Sequence, residues 1–328
     1  MDIIKISDLS KKFNGLAAVD NANFTVKEGE VLAFLGPNGA GKTTTISMLA
    51  TILEPTSGTA EINGFDIIKN KSDVRKSIGV IFQDPSLDDE LTACENLIFH
   101  GVMYDIKKEL MEDRISELLK LVDLLERKDD LVKTFSGGMK RRLEIARGLM
   151  HHPKVLFLDE PTVGLDPQTR NHILEYIKKL NEIEHITIIL TTHYMEEADK
   201  LCDRIAIIDH GKIIALDTSD SLKSLMGGDV VSLQCSEPQK LSNILKKEKW
   251  INKLKLNNNI LDISVAKVEE KLVKLLEIAG KANVKINSLS LRSPTLEDVF
   301  LHLTGKSIRE EEASGKDSMR LARRMWRR

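Results

Sequence analysis

Aromatic side chains are scarce in this chain of 328 residues: Phe, Trp and Tyr together make up 4% of it. Hydrophobic residues still reach 41%, so packed cores are expected, built mainly from Ile, Leu, Val and Met. Cysteine is nearly absent. Cys94, Cys202 and Cys235 are odd in number and far apart, which argues against a disulfide framework or a thiolate metal cluster and fits a reducing compartment. No apolar run approaches the roughly 18 residues that a membrane-spanning helix needs. The opening stretch, MDIIKISDLSKKF, lacks the long apolar region of a secretory signal. Any role at a membrane therefore requires a partner chain or surface contact. The net charge is only -2 and gives no support for nucleic-acid binding. The charge is uneven, however: Lys316 to Arg328 holds six basic residues and one acidic.

What is present is alternation. VLAFL (31–35), IGVIF (78–82), KVLFLD (154–159), ITIILTT (186–192) and RIAIID (204–209) are short, almost wholly apolar runs. They read as strands buried on both faces, with helical patterns between them. This predicts an α/β domain with a mostly parallel sheet over residues 1–226. IIKIS and ANFTV, near the start, read as an antiparallel part, and residues of about 87–152 read as an inserted helical subdomain. MGGD (226–229) marks a boundary. Beyond it, 227–305 reads strand, helix, two strands, helix, strand, helix: a small α+β domain. Residues 306–328 are polar and charged and read as a tail.

The strand VLAFL runs directly into GPNGAGKT, then into a helical pattern. Gly36, Pro37, Asn38, Gly39, Ala40, Gly41, Lys42 and Thr43 fit the spacing of a phosphate-binding loop, with Thr44 following. Glycines let successive backbone N–H groups turn around a phosphate, and the helix N-terminus adds its positive dipole end. Lys42 is placed to reach the β- and γ-phosphates, and the Thr43 hydroxyl to bind Mg²⁺. VLFLDEP (155–161) ends an apolar strand in two carboxylates. Beside such a loop, Asp159 is the candidate Mg²⁺ ligand and Glu160 the candidate general base toward water.

FSGGMKRR (135–142) sets flexible backbone against dense positive charge. Alone, Lys140, Arg141 and Arg142 read as a solvated face, or as facing the helical subdomain. Six motifs in order change that reading: GPNGAGKT, Gln83 in IFQD, FSGGM, LFLDEP, GLDP (164–167) and His193 in TTHYMEEA. Over about residues 1–226 the chain resembles the ATP-binding subunits of ABC (ATP-binding cassette) transporters. The resemblance implies a P-loop fold with two copies, or this chain and a related cassette, sandwiching two ATP molecules. Ser136, Gly137 and Gly138 of one copy would then cap the γ-phosphate held by the other, at a helix N-terminus. Gln83 would contact Mg²⁺ or water and sense a membrane partner. His193 would bond the γ-phosphate and position the water of Glu160, and Asp166 would link the two sites. Phe13 matches the aromatic that stacks on adenine, where the family more often has Tyr.

The signature departs from the common Leu-Ser-Gly-Gly-Gln at its outer positions, Phe135 and Met139. SGGMKRRLEIARGL resembles the drug- and antibiotic-export branch, and SPTLEDVFLHLTG (293–305) resembles the C-terminal extension of daunorubicin-resistance ATP-binding proteins. Together these imply an ATPase at the cytoplasmic face of a membrane, powering an ABC-2 type exporter through a separate permease. An importer ATPase, a lipid or ion transporter, and a soluble ABC protein remain as alternatives. In MRLARRMWRR (319–328) a helical arrangement would put Met319, Leu321, Ala322, Met325 and Trp326 on one arc and five arginines on the other. Such a segment suits an anionic membrane surface, and equally a solvated tail.

Overall fold

The computed structural model describes residues 1–305 apart from 258, 266 and 267. The tail and its membrane-surface reading lie outside the described residues. The chain divides into two compact units, the first running from Met1 to Leu216 and the second beginning at Asp217.

The first unit opens with β1 (Asp2–Phe13) and β2 (Leu16–Lys27), followed by β3 (Val31–Leu35) and α1 (Lys42–Leu49). β4 (Ser57–Ile62), β5 (Phe65–Asp66), α2 (Lys71–Ser77) and β6 (Ile78–Ile81) come next. Three helices, α3 (Ala93–Met103), α4 (Lys108–Leu121) and α5 (Gly137–Gly148), lie between β6 and β7 (Val155–Asp159). The unit continues with α6 (Pro167–Glu184), β8 (Thr187–Thr192), α7 (Met195–Leu201), β9 (Arg204–Asp209) and β10 (Lys212–Asp217).

β1, β2, β4 and β5 form an antiparallel sheet in the order β2-β1-β4-β5, so the early runs extend well beyond the pentapeptides that betray them in the sequence. The second sheet has the order β10-β9-β3-β8-β7-β6, with parallel pairing from β9 through β6. Every residue of β3, β7 and β8 is buried, as expected of parallel strands covered on both faces. Ile, Leu and Val dominate the core between the sheets. Its few aromatics are used where two sheets meet: Phe24 and Phe34 pack edge to face at 5.7 Å. The parallel register pairs Leu35 with Thr192 and Asp159 with Thr191. The phosphate loop, the Asp159–Glu160 pair and His193 therefore leave the sheet at one level. They do so at the carboxyl ends of the strands, where open α/β sheets bind ligands.

The second unit contains α8 (Ser219–Ser224), β11 (Asp229–Cys235), α9 (Pro238–Leu245), β12 (Ile251–Asn257), β13 (Ile260–Val265), α10 (Val268–Lys281), β14 (Ile286–Arg292) and α11 (Leu296–Thr304). The sheet order is β12-β13-β11-β14 with antiparallel neighbours. β13 thus enters between β11 and β12, the split β-α-β arrangement. α8 packs on α11. Its Thr218 side chain caps the helix through the Ser221 amide, and Leu222 is buried. The MGGD turn lies after this helix rather than before it.

Leu233, Leu241, Leu261, Ile263 and Leu275 share a core confined to the second unit. Leu261→Ala should destabilise that unit by about 2–5 kcal/mol and leave nucleotide affinity of the first unit unchanged. Calorimetry alongside nucleotide titration checks this. A loss of nucleotide binding in step with the lost stability would show that the cores are not separate.

Candidate functional site: the phosphate loop and its carboxylates

The loop from Gly36 to Gly41 joins β3 to α1. Two of its glycines are required by space. A Cβ on Gly36 would sit 2.2 Å from the Ile208 carbonyl oxygen, and one on Gly41 2.3 Å from that of Ala18. Gly41 also has φ 107° and Gly39 φ 85°, backbone that glycine adopts without strain. Asn38 and Gly39 are exposed at the loop tip, whereas Pro37 and Ala40 are buried beneath it. Thr43 is exposed and Thr44 half-buried, both in the first turn of α1.

Lys42 is 5% exposed. Its ammonium donates to the carbonyls of Gly36 (2.7 Å) and Pro37 (3.0 Å) and lies 3.6 Å from Glu160 Oε1. Asp159, at the end of β7, is 2% exposed. Its Oδ1 accepts from the Thr43 hydroxyl at 3.1 Å and also from the Thr191 hydroxyl. The next residue, Glu160, has φ 47°. Its amide donates to Thr191 Oγ1 at 2.9 Å, and its Oε1 lies 3.3 Å from His193 Nδ1. Burial pushes the Glu160 carboxyl up. The hydrogen bond with His193 and the nearby Lys42 ammonium outweigh that, holding it below its ordinary value of 4.5. Lys42, Thr43, Asp159, Glu160 and His193 thus converge on one place.

Gln83, Phe13, Ser136, Gly138 and Asp166 make none of the contacts that hold this cluster together. Gln83 follows β6 and is exposed. Phe13 ends β1 and is 46% exposed, with the Lys11 ammonium 5.3 Å from the centre of its ring. Ser136 caps α5 by accepting from the Met139 amide at 3.3 Å, and Ser136 and Gly137 are exposed. A Cβ on Gly138 would meet Thr169 Cγ2 at 2.4 Å, so this glycine is needed for helix packing. Asp166 caps α6, accepting from the amides of Gln168 (3.1 Å) and Thr169 (3.0 Å).

The basic run after the signature has three different fates. Lys140 pairs with Asp89 at the surface, and Arg142 reaches the Val122 carbonyl in the helical region. Arg141 is buried and donates to backbone carbonyls at the ends of β6 and β7. A bland solvated face is therefore wrong for Arg141. Sequence reasoning also missed Glu197, 2% exposed. It accepts from the hydroxyls of Thr162 (2.6 Å) and Thr192 (2.8 Å), tying the turn after Glu160 to the strand before His193.

Among the described residues no group of three or more His, Cys, Asp or Glu side chains suits a metal. The pair Thr43 and Asp159, two hard oxygen donors 3.1 Å apart beside a phosphate loop, fits Mg²⁺. That ion is typically bound by one or two protein oxygens, the rest of its shell being phosphate and water.

A carboxyl whose folded pKa is depressed contributes stability that is present above its ordinary value and lost as pH falls through the depressed one. His193→Ala removes one cause of that depression and leaves burial in place. The Glu160 carboxyl should then titrate at a higher pH than in wild type, followed by carbon-13 NMR of that side chain. An unchanged midpoint would mean that the His193 contact does not hold the carboxylate.

Known proteins with the same pattern bear on this site. The ABC transporter family matches residues 19–163, and the C-terminal domain of DrrA1-3-like ATP-binding proteins matches residues 218–304. The linearmycin resistance ATP-binding protein LnrL of Bacillus subtilis is 41% identical over 94% of this chain and 100% of its own length. The daunorubicin/doxorubicin resistance ATP-binding protein DrrA of Streptomyces peucetius is 40% identical over 92% of each chain. Among solved structures, a dimeric ATP-binding cassette in a post-hydrolysis state with ADP and Pi matches with a TM-score of 0.59 at 29% identity, covering 66% of this chain and 98% of that one. With both parts matched and nearly its whole length aligned, the chain belongs to the ATP-binding subunits of ABC transporters, in the branch that carries the DrrA-like C-terminal domain.

Proposed function

We propose that two copies of this chain close on two ATP molecules and hydrolyse them to drive a separate permease. The observation that carries the reading is the convergence of Lys42, Asp159, Glu160 and His193 at the mouth of one phosphate loop. Lys42 gives its donors to two loop carbonyls and lies 3.6 Å from Glu160 Oε1. An incoming γ-phosphate is a stronger acceptor for that ammonium than the carbonyls. Its arrival leaves Glu160 to accept a hydrogen bond from water. Glu160 then polarises the water for in-line attack on the γ-phosphorus, with ADP as leaving group. His193 contacts the carboxylate through Nδ1 and stands beside the place where the γ-phosphate would be held. Thr43 and Asp159 would hold Mg²⁺, which when bound would supply neutralisation of phosphate charge.

Ser136 and Gly137 stand exposed at the start of α5, with Gly138 buried beneath them, which suits capping the nucleotide of a second copy. Phe13 stacks on the adenine. Asp166, already engaged in capping α6, positions the following turn at the junction of the copies. For the permease we assign the apolar surface of α3. Phe99 (65% exposed), Val102 (63%) and Met103 (66%) form an apolar patch on one helix, and apolar patches of this kind mark partner surfaces. Among the described residues no helix is long and apolar enough to cross a membrane, so the path for cargo lies in the partner. The resistance functions named for LnrL and DrrA favour a hydrophobic, antibiotic-like cargo moving outward.

Glu160→Gln should lower ATP turnover by about 10²–10⁴-fold, retain ATP binding, and accumulate an ATP-bound dimer on gel filtration. Pulled from gently solubilised native membranes in that state, it should bring down a multi-span membrane protein. Recovery of ribosomes or DNA, with no membrane protein, would overturn the transporter reading and leave the ATPase intact. Phe99→Asp should abolish that co-purification while ATP affinity stays within about twofold of wild type, since α3 carries no nucleotide contact. Retained co-purification would move the docking surface elsewhere.

A further inference from the structure

The helix that presents the signature also grips the hydrolytic centre of its own subunit, through side chains outside that centre. Arg141 is 7% exposed and Glu144 2%. The Arg141 guanidinium donates from Nη2 to the Asp159 carbonyl (3.1 Å) and from Nε to the Pro161 carbonyl (3.0 Å). Those two carbonyls flank Glu160. From Nη1 it donates to the Phe82 carbonyl (2.7 Å), immediately before Gln83, and to Glu144 Oε2 (3.0 Å). The other oxygen of Glu144 accepts from the Ser86 amide at 2.9 Å, and Arg147 donates to the carbonyl and hydroxyl of the same Ser86. Three residues on one face of α5 thus hold both ends of the segment bearing Gln83 and both sides of Glu160.

Only an arginine makes this contact set. Its planar fork sends donors toward acceptors on three separate segments, whereas a lysine is a single point of donation. Glu144 balances the buried charge, so neither ion is left unpaired. The grip also answers a question of strain. Glu160 adopts the left-handed region, φ 47°, without being glycine. Such a conformation persists where its surroundings over-determine it. Here the carbonyl before it and the carbonyl after it are fastened to one guanidinium, and its amide is fastened to Thr191.

We propose that Arg141 is a positioning residue that couples the signature to its own subunit's hydrolytic carboxylate. When nucleotide held by a second copy seats on Ser136–Gly138, α5 is fixed, and through Arg141 it fixes Glu160 and the Gln83 segment in the geometry that hydrolysis needs. Each subunit thereby reports the occupancy of its partner's site to its own. The inference rests on the two-copy reading of the function.

The test is Arg141→Lys in the full-length chain, alone and combined with Glu160→Gln. The lysine keeps the charge beside Glu144 and loses the fork. Turnover should fall about tenfold to a hundredfold, the scale of a misplaced catalytic group. KM for ATP and the Kd of a fluorescent ATP analogue should stay within about threefold. In the Glu160→Gln background the same substitution should change the residual rate by less than about twofold, because the group it positions is already gone. Losses that multiply in the double variant, or that track the fraction of folded protein, overturn the proposal. Hydrogen exchange gives a readout independent of activity. Amides of residues 82–86 and 159–163 should exchange about tenfold faster in Arg141→Lys, with those of α1 unchanged. Unchanged exchange at both segments overturns the proposal even if turnover falls. A wild-type chain without ATPase activity would instead contradict the functional reading. If Arg141→Lys fails to fold, Arg141→Met with Glu144→Gln, which removes both buried charges together, carries the same comparison.

Discussion

A single buried ammonium organises the nucleotide face of this protein. Lys42 has almost no contact with solvent and sits among two loop carbonyls and the Glu160 carboxylate. A buried cation without such partners would be costly, and so would a buried carboxylate facing it alone. The strand register makes the pairing possible. β3 delivers the lysine through its loop, and β7 and β8 deliver Glu160 and His193 at the same level. The buried charges of this site therefore satisfy one another. Its ion pair is also the feature that a phosphate group is best suited to disturb, because a dianionic ligand competes for Lys42 directly.

A second layer of groups keeps this arrangement rigid. Thr191 receives the Glu160 amide and gives its hydroxyl to Asp159. Glu197 collects the hydroxyls of Thr162 and Thr192 and lies 3.6 Å from Arg170. Arg141 fastens the backbone on either side of Glu160. The reacting groups are thus held by neighbours that touch no ligand, which is how a site keeps its geometry against thermal motion. It also means that a movement of α5 has a direct mechanical route to the carboxylate.

The sequence disclosed those parts whose chemistry is local. The phosphate loop was legible because its glycines, lysine and threonine act through the backbone that carries them. The five buried strands were legible because a parallel strand covered on both faces leaves an unbroken apolar run. The β-α-β-β-α-β order of the C-terminal unit followed from plain alternation of patterns. Arg141 was not legible, since its role depends on carbonyls at Phe82, Asp159 and Pro161 that only the fold brings together. α8 was missed for a related reason: it buries little of itself, and its partner α11 lies far along the chain. Within the signature, the family resemblance implied Gly138 as a phosphate contact. The structure adds a packing reason for it, the close approach of Thr169.

The central claim is that a complete hydrolytic site is built from the phosphate loop of one copy and the signature of another. Mixing two inactive variants tests it most directly. Lys42→Ala leaves a sound signature beside a broken loop, and Ser136→Arg leaves a sound loop beside a broken signature. The account predicts that each alone is inactive and that the mixture regains ATPase activity, because the mixed dimer holds one intact composite site. A mixture as inactive as its components, with mixed dimers demonstrably formed, would contradict it.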